Sequence, residues 1–266
     1  MTDWLAVCRG AVEDVRSVLR ELPTRAERGP VVGAGEGGDD TIAVDAAAEQ
    51  AILGRFEATG ENLVLVSEEL GEKRLGSGDG LRVVIDPIDG SLNAKRGIPF
   101  FAVSVAVADG ATMDDVDFGY VYDFGSGEEW TAKRGGGAYL NGQALGAVRP
   151  KEQIEILSFE ATLTVRVAAN AEKVVGLARR LRIMGSLALS LCHLAAGRVD
   201  AVCSLKEARA VDIAAAQLLI RECGLAIDLP EAPPFGQAPL DVEGRSRVVA
   251  AATPELCVQL FAALDS

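Results

Sequence analysis

Apolar residues in the first half of the chain follow two different spacings. Between residues 4 and 21 they recur with helical periodicity, which predicts an amphipathic helix, and an alanine-rich segment predicts a second helix over 43–56. Short apolar runs bounded by turn residues predict the strands of a sheet. The predicted strands cover residues 62–66, 82–85, 100–108, 118–122 and 128–132.

The second half of the chain mixes both kinds of pattern. Strands are predicted over 154–159, 199–203, 225–228 and 247–251, and helices over 171–181, 187–196, 213–223 and 254–264. A strand-rich half followed by a mixed half predicts an α+β fold of packed layers and not a regular βαβ repeat. We expect two closely packed halves, residues 1–150 and 151–266.

The charge balance excludes several classes of partner. The 39 acidic and 26 basic residues give a net charge of −13, which repels nucleic acids and anionic lipid surfaces. The excess of acid has two explanations: a surface adapted to solubility or salt, or carboxylates gathered around bound cations. No apolar run approaches the roughly 18 residues of a membrane-spanning helix, so no membrane partner is expected.

Cysteine and histidine usage narrows the chemistry. The five cysteines are widely spaced and form no zinc-type pair, which predicts reduced thiols in a cytoplasmic protein. The start of the chain lacks the basic and apolar regions of a signal peptide. The single histidine, His193, lies in an apolar segment and is predicted to pack within a helix, so a multi-histidine zinc site is excluded. The chemistry therefore falls to carboxylates.

The most informative carboxylates lie on a turn that follows an apolar strand. Pro87 cannot donate to a β-ladder, so we expect strand pairing to end there, with Asp86 and Asp89 on one tight turn. The amides of Gly90 and Ser91 can face an anion. Two carboxylates this close repel each other unless a cation lies between them, and oxygen ligands favour Mg²⁺, Mn²⁺ or Ca²⁺. The alternative is an ordinary structural turn.

Three other acids fit the same interpretation, each with a simpler alternative. Glu68 also follows an apolar strand, so its carboxylate leaves a sheet edge much as that of Asp86 does. Asp212 stands at the start of a predicted helix, where a carboxylate is favoured by the helix dipole and can also be a plain N-cap. Asp45 lies within the early helix, where the alternative is a solvated helix face.

A glycine-rich segment raises a different possibility. Residues 33–38 match the Gly-x-Gly-x-x-Gly spacing of dinucleotide sites. Only Val31 and Val32 precede the segment where a full strand is needed, and the neighbouring acids repel a pyrophosphate. We therefore predict a mobile loop here and no nucleotide site.

Three motifs together carry a family resemblance. Ser67-Glu68-Glu69, then residues 86–93, then residues 211–216 resemble, in this order, the three-part signature of the inositol monophosphatase superfamily. The resemblance runs from about Asp40 to the C-terminal helix. Residues 93–99 are most similar to the archaeal-type enzymes that act on both fructose 1,6-bisphosphate and inositol monophosphates.

The resemblance implies a layered αβαβα fold, a homodimer and two to three Mg²⁺ ions, with Mn²⁺ as a substitute. It implies that the metals activate a water that attacks phosphorus in line, with catalytic roles for Glu68, Ser91 and Asp45. The metal ligands that it implies are Glu68, Asp86, the carbonyl of Ile88, Asp89 and Asp212, with Asp45 near a weaker third site.

The resemblance also implies substrate-binding residues, and here the sequence departs from inositol-specific members at two places. The amides of Gly90 and Ser91 hold the phosphate, and further contacts come from Gly185 and Ser186. Val211 replaces a tryptophan that is common in inositol-specific members, and residues 206–209 stand where those members carry a substrate-reading glutamate. In place of that glutamate, Lys206 or Arg209 is expected to hold a second phosphate, although Arg209 can instead pair with a surface carboxylate.

The resulting functional expectation is a Mg²⁺-dependent phosphomonoesterase acting on inositol 1-phosphate, fructose 1,6-bisphosphate or both. Two alternatives are enzymes of the same superfamily, a 3′(2′),5′-bisphosphate nucleotidase and a histidinol-phosphate phosphatase. A third, non-enzymatic alternative is a sensor that binds metal or sugar phosphates. The expected partners are a small phosphate monoester and a second copy of the chain.

Overall fold

The computed structural model describes residues 2–36, 40–77, 80–146, 153–160, 163–232 and 234–265. The helices are α1 Trp4–Glu21, α2 Arg25–Arg28, α3 Ala43–Glu57, α4 Ser91–Arg96, α5 Thr164–Ala171, α6 Leu187–Ala195, α7 Ala210–Glu222 and α8 Pro254–Asp265. The strands are β1 Val31–Ala34, β2 Asp40–Ile42, β3 Leu63–Ser67, β4 Gly71–Leu75, β5 Leu81–Asp89, β6 Ala102–Ala108, β7 Val116–Asp123, β8 Glu129–Lys133, β9 Gly137–Leu140, β10 Gln143–Ala144, β11 Ile154–Glu160, β12 Ala178–Arg182, β13 Ala201–Ser204, β14 Ala226–Asp228 and β15 Val249–Ala251.

The larger sheet has eight strands in the order β10-β9-β8-β7-β6-β5-β3-β4. Only β3 and β5 run parallel, and the other neighbours are antiparallel. Helices α1 and α3 cover its outer face. Val12 and Val15 are buried on the apolar stripe of α1, as expected for an amphipathic helix on a sheet, and Ile52 and Phe56 are buried in α3.

The smaller sheet has five strands in the order β12-β11-β13-β15-β14. Helices α6 and α7 lie between the two sheets, and α8 covers the outer face of the smaller one. Helices α6 and α7 are apolar on nearly every side, which is the pattern of a helix buried from all directions. The predicted layered αβαβα fold is therefore confirmed.

One predicted helix is wrong. Residues 171–181 were expected to be helical, but α5 ends at Ala171 and β12 begins at Ala178. Gly176 has a φ of 86°, which a continuous helix does not allow. The strand pairs with β11 at the edge of the smaller sheet, where its arginines remain exposed. Apolar spacing alone did not distinguish this half-exposed edge strand from a helix.

The glycine-rich segment is partly a strand. Val31–Ala34 pairs antiparallel with Asp40–Ile42, where we predicted a mobile loop over 33–38. Residues 37 and 38 lie outside the described residues. The division near residue 150 stays a prediction, because residues 147–152 are also outside them and one hydrophobic core cluster joins side chains of both sheets.

Two simpler expectations concern side chains. His193 packs against the rings of Phe100 and Trp130, as predicted. All five cysteines are buried free thiols.

Among the helices that the structure describes, none is both long and apolar enough to cross a bilayer.

The packing of α7 on the larger sheet makes a testable prediction. A Cβ at Gly119 in β7 would lie 2.6 Å from the carbonyl oxygen of Ala215 in α7. Because that backbone cannot move independently of the helix, Gly119→Ala should lower the free energy of unfolding by about 1–3 kcal/mol in urea denaturation. Gly54→Ala is the control, because no atom lies within 4 Å of its Cβ position and alanine favours the helix. An equal loss in both variants would contradict the proposed contact.

Candidate active site

The parallel pair β3 and β5 brings two acids to one edge of the larger sheet. Their register pairs Ser67 with Ile85, so Glu68 and Asp86 leave the sheet as neighbours. Asp212 comes from the first turn of α7, which starts at Ala210, slightly earlier than predicted. Glu68, Asp86 and Asp212 each offer an oxygen within 4.8 Å of the others. These three residues form the acidic cluster.

Strand pairing does not end at Pro87, as we had predicted. Asp86 pairs with Ser104 and Asp89 pairs with Ala102, so β5 carries one more residue than β6 over this stretch. Such a β-bulge accommodates a proline that has no N–H for the ladder. The N–H of Ile88 donates to Oδ1 of Asp86 at 3.0 Å, which holds this carboxylate within the bulge.

Asp89 is held by the start of α6 and lies outside the acidic cluster. Its Oδ2 accepts hydrogen bonds from the Ser186 hydroxyl at 2.5 Å and from the Ala188 N–H at 2.7 Å. A helix N-terminus favours a carboxylate through its free N–H groups and its dipole. Ser186, which we had predicted as a substrate contact, is therefore engaged with a predicted metal ligand.

A cavity of ≈ 240 Å³ opens beside the acidic cluster. Most of the predicted site residues line it, and Asp45 and Ser186 do not. The lining residues are Glu68, Asp86, Ile88, Asp89, Gly90, Ser91, Leu92, Glu160, Gly185, Leu187, Ser204, Lys206, Glu207, Ala208, Arg209 and Asp212. The chain therefore brings residues of both halves to one concave site.

The turn after Asp89 depends on a glycine. Gly90 has a φ of 95°, and a Cβ there would lie 3.0 Å from the carbonyl oxygen of Gly185. Gly90 directly precedes α4. At the start of α4, the hydroxyl of Ser91 donates a hydrogen bond to the carbonyl of Ile88 at 3.0 Å. The backbone of the turn thus packs against the loop that leads into α6.

Arg209 is buried beside the acidic cluster. Its guanidinium donates to Glu68 and contacts Oδ1 of Asp212 at 3.4 Å, and its backbone N–H donates to Oδ2 of Asp212 at 2.7 Å. The expected alternative was a pair with a surface carboxylate, whereas both carboxylates here belong to the acidic cluster. Its role in binding a second phosphate stays a prediction.

The comparisons with known proteins agree with this geometry. The sequence profile of the inositol monophosphatase family matches residues 4–265. The chain belongs to this family. The predicted family is therefore confirmed, and the family is metal dependent.

Several relatives cover the chain almost completely. The fructose-1,6-bisphosphatase/inositol-1-monophosphatase of Methanothermobacter thermautotrophicus is 34% identical over 98% of this chain and 96% of its own length. The protein of the same name from Thermococcus kodakarensis is 32% identical over 98% of this chain and 97% of its own. A solved inositol monophosphatase–fructose 1,6-bisphosphatase superimposes with a TM-score of 0.85 at 29% identity, covering 99% of this chain and 100% of that one.

The carboxylates of this family member are in an electrostatically unfavourable setting. Burial raises the pKa of Glu68 to about 7 against the opposing effect of Arg209, and burial raises that of Asp89 to about 7. Burial and the neighbouring Glu68 hold the pKa of Asp86 well above its usual range. A divalent cation relieves this repulsion, and an all-oxygen donor set suits Mg²⁺ or Mn²⁺.

Asp45 gives a second indication of a cation nearby. It is buried in the first turn of α3, and its Oδ1 has no hydrogen-bond partner among the described residues. Burial, followed by the charges of Glu69 and Glu68, raises its pKa to about 8, and the Ser91 hydroxyl opposes this. A buried carboxylate oxygen without a donor fits a position beside a metal ion or its water. The residues present therefore fit the metal that the family requires.

Sequence reasoning missed Glu160. This buried residue ends β11, and its Oε1 accepts from the hydroxyls of Ser158 at 2.9 Å and Ser190 at 2.6 Å, while Oε2 accepts from the Gly185 N–H at 2.9 Å. Glu160 thus fixes the loop and helix that hold Asp89. A signal existed, because Glu160 follows an apolar strand just as Glu68 does.

Removing this carboxylate should loosen the site. Glu160→Ala leaves the Gly185 N–H and one of the two buried hydroxyls without an acceptor, because the hydroxyls of Ser158 and Ser190 lie 3.2 Å apart and can bond each other, so the free energy of unfolding should fall by about 2 kcal/mol in urea denaturation. Glu155→Ala on the same strand is the control, since it breaks only the exposed pair with Arg180 and should cost less than about 1 kcal/mol. Similar losses in both variants would show that Glu160 is not an anchor.

The raised pKa values also predict a pH dependence of stability. A group whose pKa is higher in the folded than in the unfolded protein stabilises the fold below its unfolded pKa and loses this contribution as the pH rises through its folded pKa. With a chelator present, stability should therefore fall as the pH rises from about 5 to about 8. Asp89→Asn should reduce this fall, because asparagine keeps the two acceptor contacts and does not titrate.

The comparison between the two proteins is the measurement. Unfolding of wild type and Asp89→Asn is followed in chelator at about pH 5.5 and about pH 8, which bracket the folded pKa of Asp89. The difference between the two proteins isolates Asp89 from the general effect of the net negative charge. An identical change in both would contradict the raised pKa.

Proposed function

We propose that the protein is a Mg²⁺-dependent phosphomonoesterase that hydrolyses inositol 1-phosphate, fructose 1,6-bisphosphate or both. The observation that carries this proposal is the acidic cluster of Glu68, Asp86 and Asp212 in a cavity walled by the turn at Gly90 and Ser91. Relatives that match nearly the whole chain are named for both activities. A cluster of hard oxygen ligands beside a phosphate-sized cavity supports phosphate-ester hydrolysis better than metal storage.

The metal ligands would be divided among several elements. Glu68 and Asp86 with the carbonyl of Ile88 would hold one ion. Asp86, Asp89 and Asp212 would hold another, and Glu68 with Asp45 would support a weaker third. When bound, such ions neutralise phosphate oxygens and lower the pKa of a coordinated water. Mn²⁺ is expected to substitute for Mg²⁺.

The protein's own groups would complete the reaction. Asp45 and Ser91 lie together and are proposed to orient the attacking water, with Glu68 assisting in the removal of its proton. The amides of Gly90 and Ser91, at the start of α4, are proposed to hold the phosphate oxygens. Gly185, which lines the cavity, completes the proposed substrate contacts, whereas the buried Ser186 acts through its hydrogen bond to Asp89.

A second cavity supports the bisphosphate as a substrate. It has a volume of ≈ 530 Å³ and shares Lys206 and Glu207 with the first cavity. Its other lining residues are Arg166, Leu205, Glu231, Arg245 and Arg247. Basic residues outnumber acidic ones there, which suits a second phosphate held by Lys206. Arg209, the other candidate, lines only the first cavity. The homodimer and the cytoplasmic location stay predictions.

A phosphate-release assay tests the proposal. We expect Mg²⁺-dependent release of inorganic phosphate from inositol 1-phosphate or fructose 1,6-bisphosphate, and none in chelator. Asp89→Asn should abolish turnover and leave the protein folded, because it removes one anionic ligand but keeps the contacts to Ser186 and Ala188. Asp114→Asn is the matched control, since this acid lies in an exposed pair with Arg221 and should keep full activity.

Other outcomes of the assay distinguish the alternative functions from one another. Release only from adenosine 3′,5′-bisphosphate would keep the metal site but replace the proposed substrate with a nucleotide, and release only from histidinol phosphate would do the same. Binding of these compounds without release of phosphate would favour the sensor. Wild-type activity in Asp89→Asn would overturn the proposed metal ligands.

A further inference from the structure

Arg209 contacts two of the three residues of the acidic cluster. Both oxygens of Asp212 face this one residue, one through its backbone N–H and one through its guanidinium. The same guanidinium donates to Glu68, and only 9% of the Arg209 side chain is exposed. Two of the three carboxylates of the cluster are therefore engaged by a buried cation that belongs to the chain itself.

The charge of this cation is permanent. A guanidinium is not deprotonated in proteins, so Arg209 offsets the repulsion among Glu68, Asp86 and Asp212 at every working pH. Although burial opposes its charge, the carboxylates of Asp212 and Glu68 raise the pKa of Arg209 further above its usual range. Arg209 should therefore stabilise the fold when no divalent ion compensates the cluster.

The same contacts oppose metal binding. In the proposed metal site, one ion needs an oxygen of Glu68 and another needs an oxygen of Asp212, and each ion is repelled by a positive charge at its carboxylate. A metal ion must therefore displace the guanidinium from these oxygens or bind beside it at an electrostatic penalty. The contacts of Arg209 therefore stabilise the metal-free fold and at the same time weaken the affinity of the site for metal.

We propose that Arg209 is a built-in counter-ion that competes with the divalent metal for Glu68 and Asp212. It thereby raises the Mg²⁺ concentration at which the site fills. Arg209 acts here as a positioning residue, through the carboxylates and not by contact with the reacting atoms. This inference rests on the metal site of the proposed function, but not on the choice of substrate.

Mg²⁺ titration by calorimetry, without substrate, tests the competition. Arg209→Gln should bind Mg²⁺ at least about tenfold more tightly than wild type, because a unit charge a few ångströms from the ion has been removed. The same variant should unfold at a lower temperature in chelator. Arg209→Lys, which keeps the charge, should bind Mg²⁺ within about threefold of wild type by the same reasoning.

Lys206→Gln is the matched control, since Lys206 lines the same cavity and the substitution removes the same charge. Its Mg²⁺ affinity should change by less than about threefold, because the charge removed is not that of the guanidinium that contacts Glu68 and Asp212. Equal tightening in Lys206→Gln and Arg209→Gln would overturn the inference in favour of a general field effect. Unchanged or weaker binding in Arg209→Gln would overturn it as well. Absence of Mg²⁺ binding to wild type would instead refute the proposed metal site.

A measurement on the unmodified chain covers the case in which Arg209→Gln does not fold. The arginine side-chain Nε–H signal of Arg209, assigned with Arg209→Lys, is followed by NMR during a Mg²⁺ titration. Displacement predicts a shift of this signal that saturates together with metal binding. A signal that stays unchanged at full occupancy would overturn the competition.

Discussion

The crowding of four carboxylates beside one edge of the larger sheet is the constraint on which the site depends. Asp86 and Asp89 are buried, and Glu68 and Asp212 are partly buried next to Asp86, so the mutual repulsion of these carboxylates is strong. A buried cation, a helix N-terminus and backbone N–H groups stabilise these carboxylates. Arg209 forms ion pairs with Glu68 and Asp212. The start of α6 donates a backbone hydrogen bond to Asp89, and the N–H of Ile88 donates to Asp86.

The helices between the two sheets position the carboxylates relative to one another. Helix α7 carries Asp212 and approaches β7 so closely that Gly119 admits no side chain. Ser186 is the N-cap of helix α6, and Glu160 of the smaller sheet accepts hydrogen bonds from the neighbouring Gly185 and Ser190. The two halves of the chain therefore share one site, and the packing of the core decides the distances among its charges.

Local patterns predicted most of the elements and the identity of the acids. Glu68 and Asp86 were found because a carboxylate directly after an apolar strand lies at a sheet edge. Asp89 was found on the same turn as Asp86 and Asp212 at the start of a predicted helix, and the family motifs supported all four. The criterion of an apolar strand followed by a carboxylate would have found Glu160 had it been applied to β11. The predictions that failed, the helix over 171–181 and the end of pairing at Pro87, concern an edge strand and a bulge, where neighbouring strands override local preference.

The sequence by itself determined most of the elements and predicted the acids of the site, because hydrophobic periodicity and turn residues act over a few positions. Tertiary structure alone decided the partners of those residues. Arg209 and Glu68 are 141 positions apart, and Ser186 and Asp89 are 97 apart, yet each pair is in hydrogen-bond contact. Contacts across such separations arise from the stacking of layers, a property of the whole chain that short-range patterns do not encode.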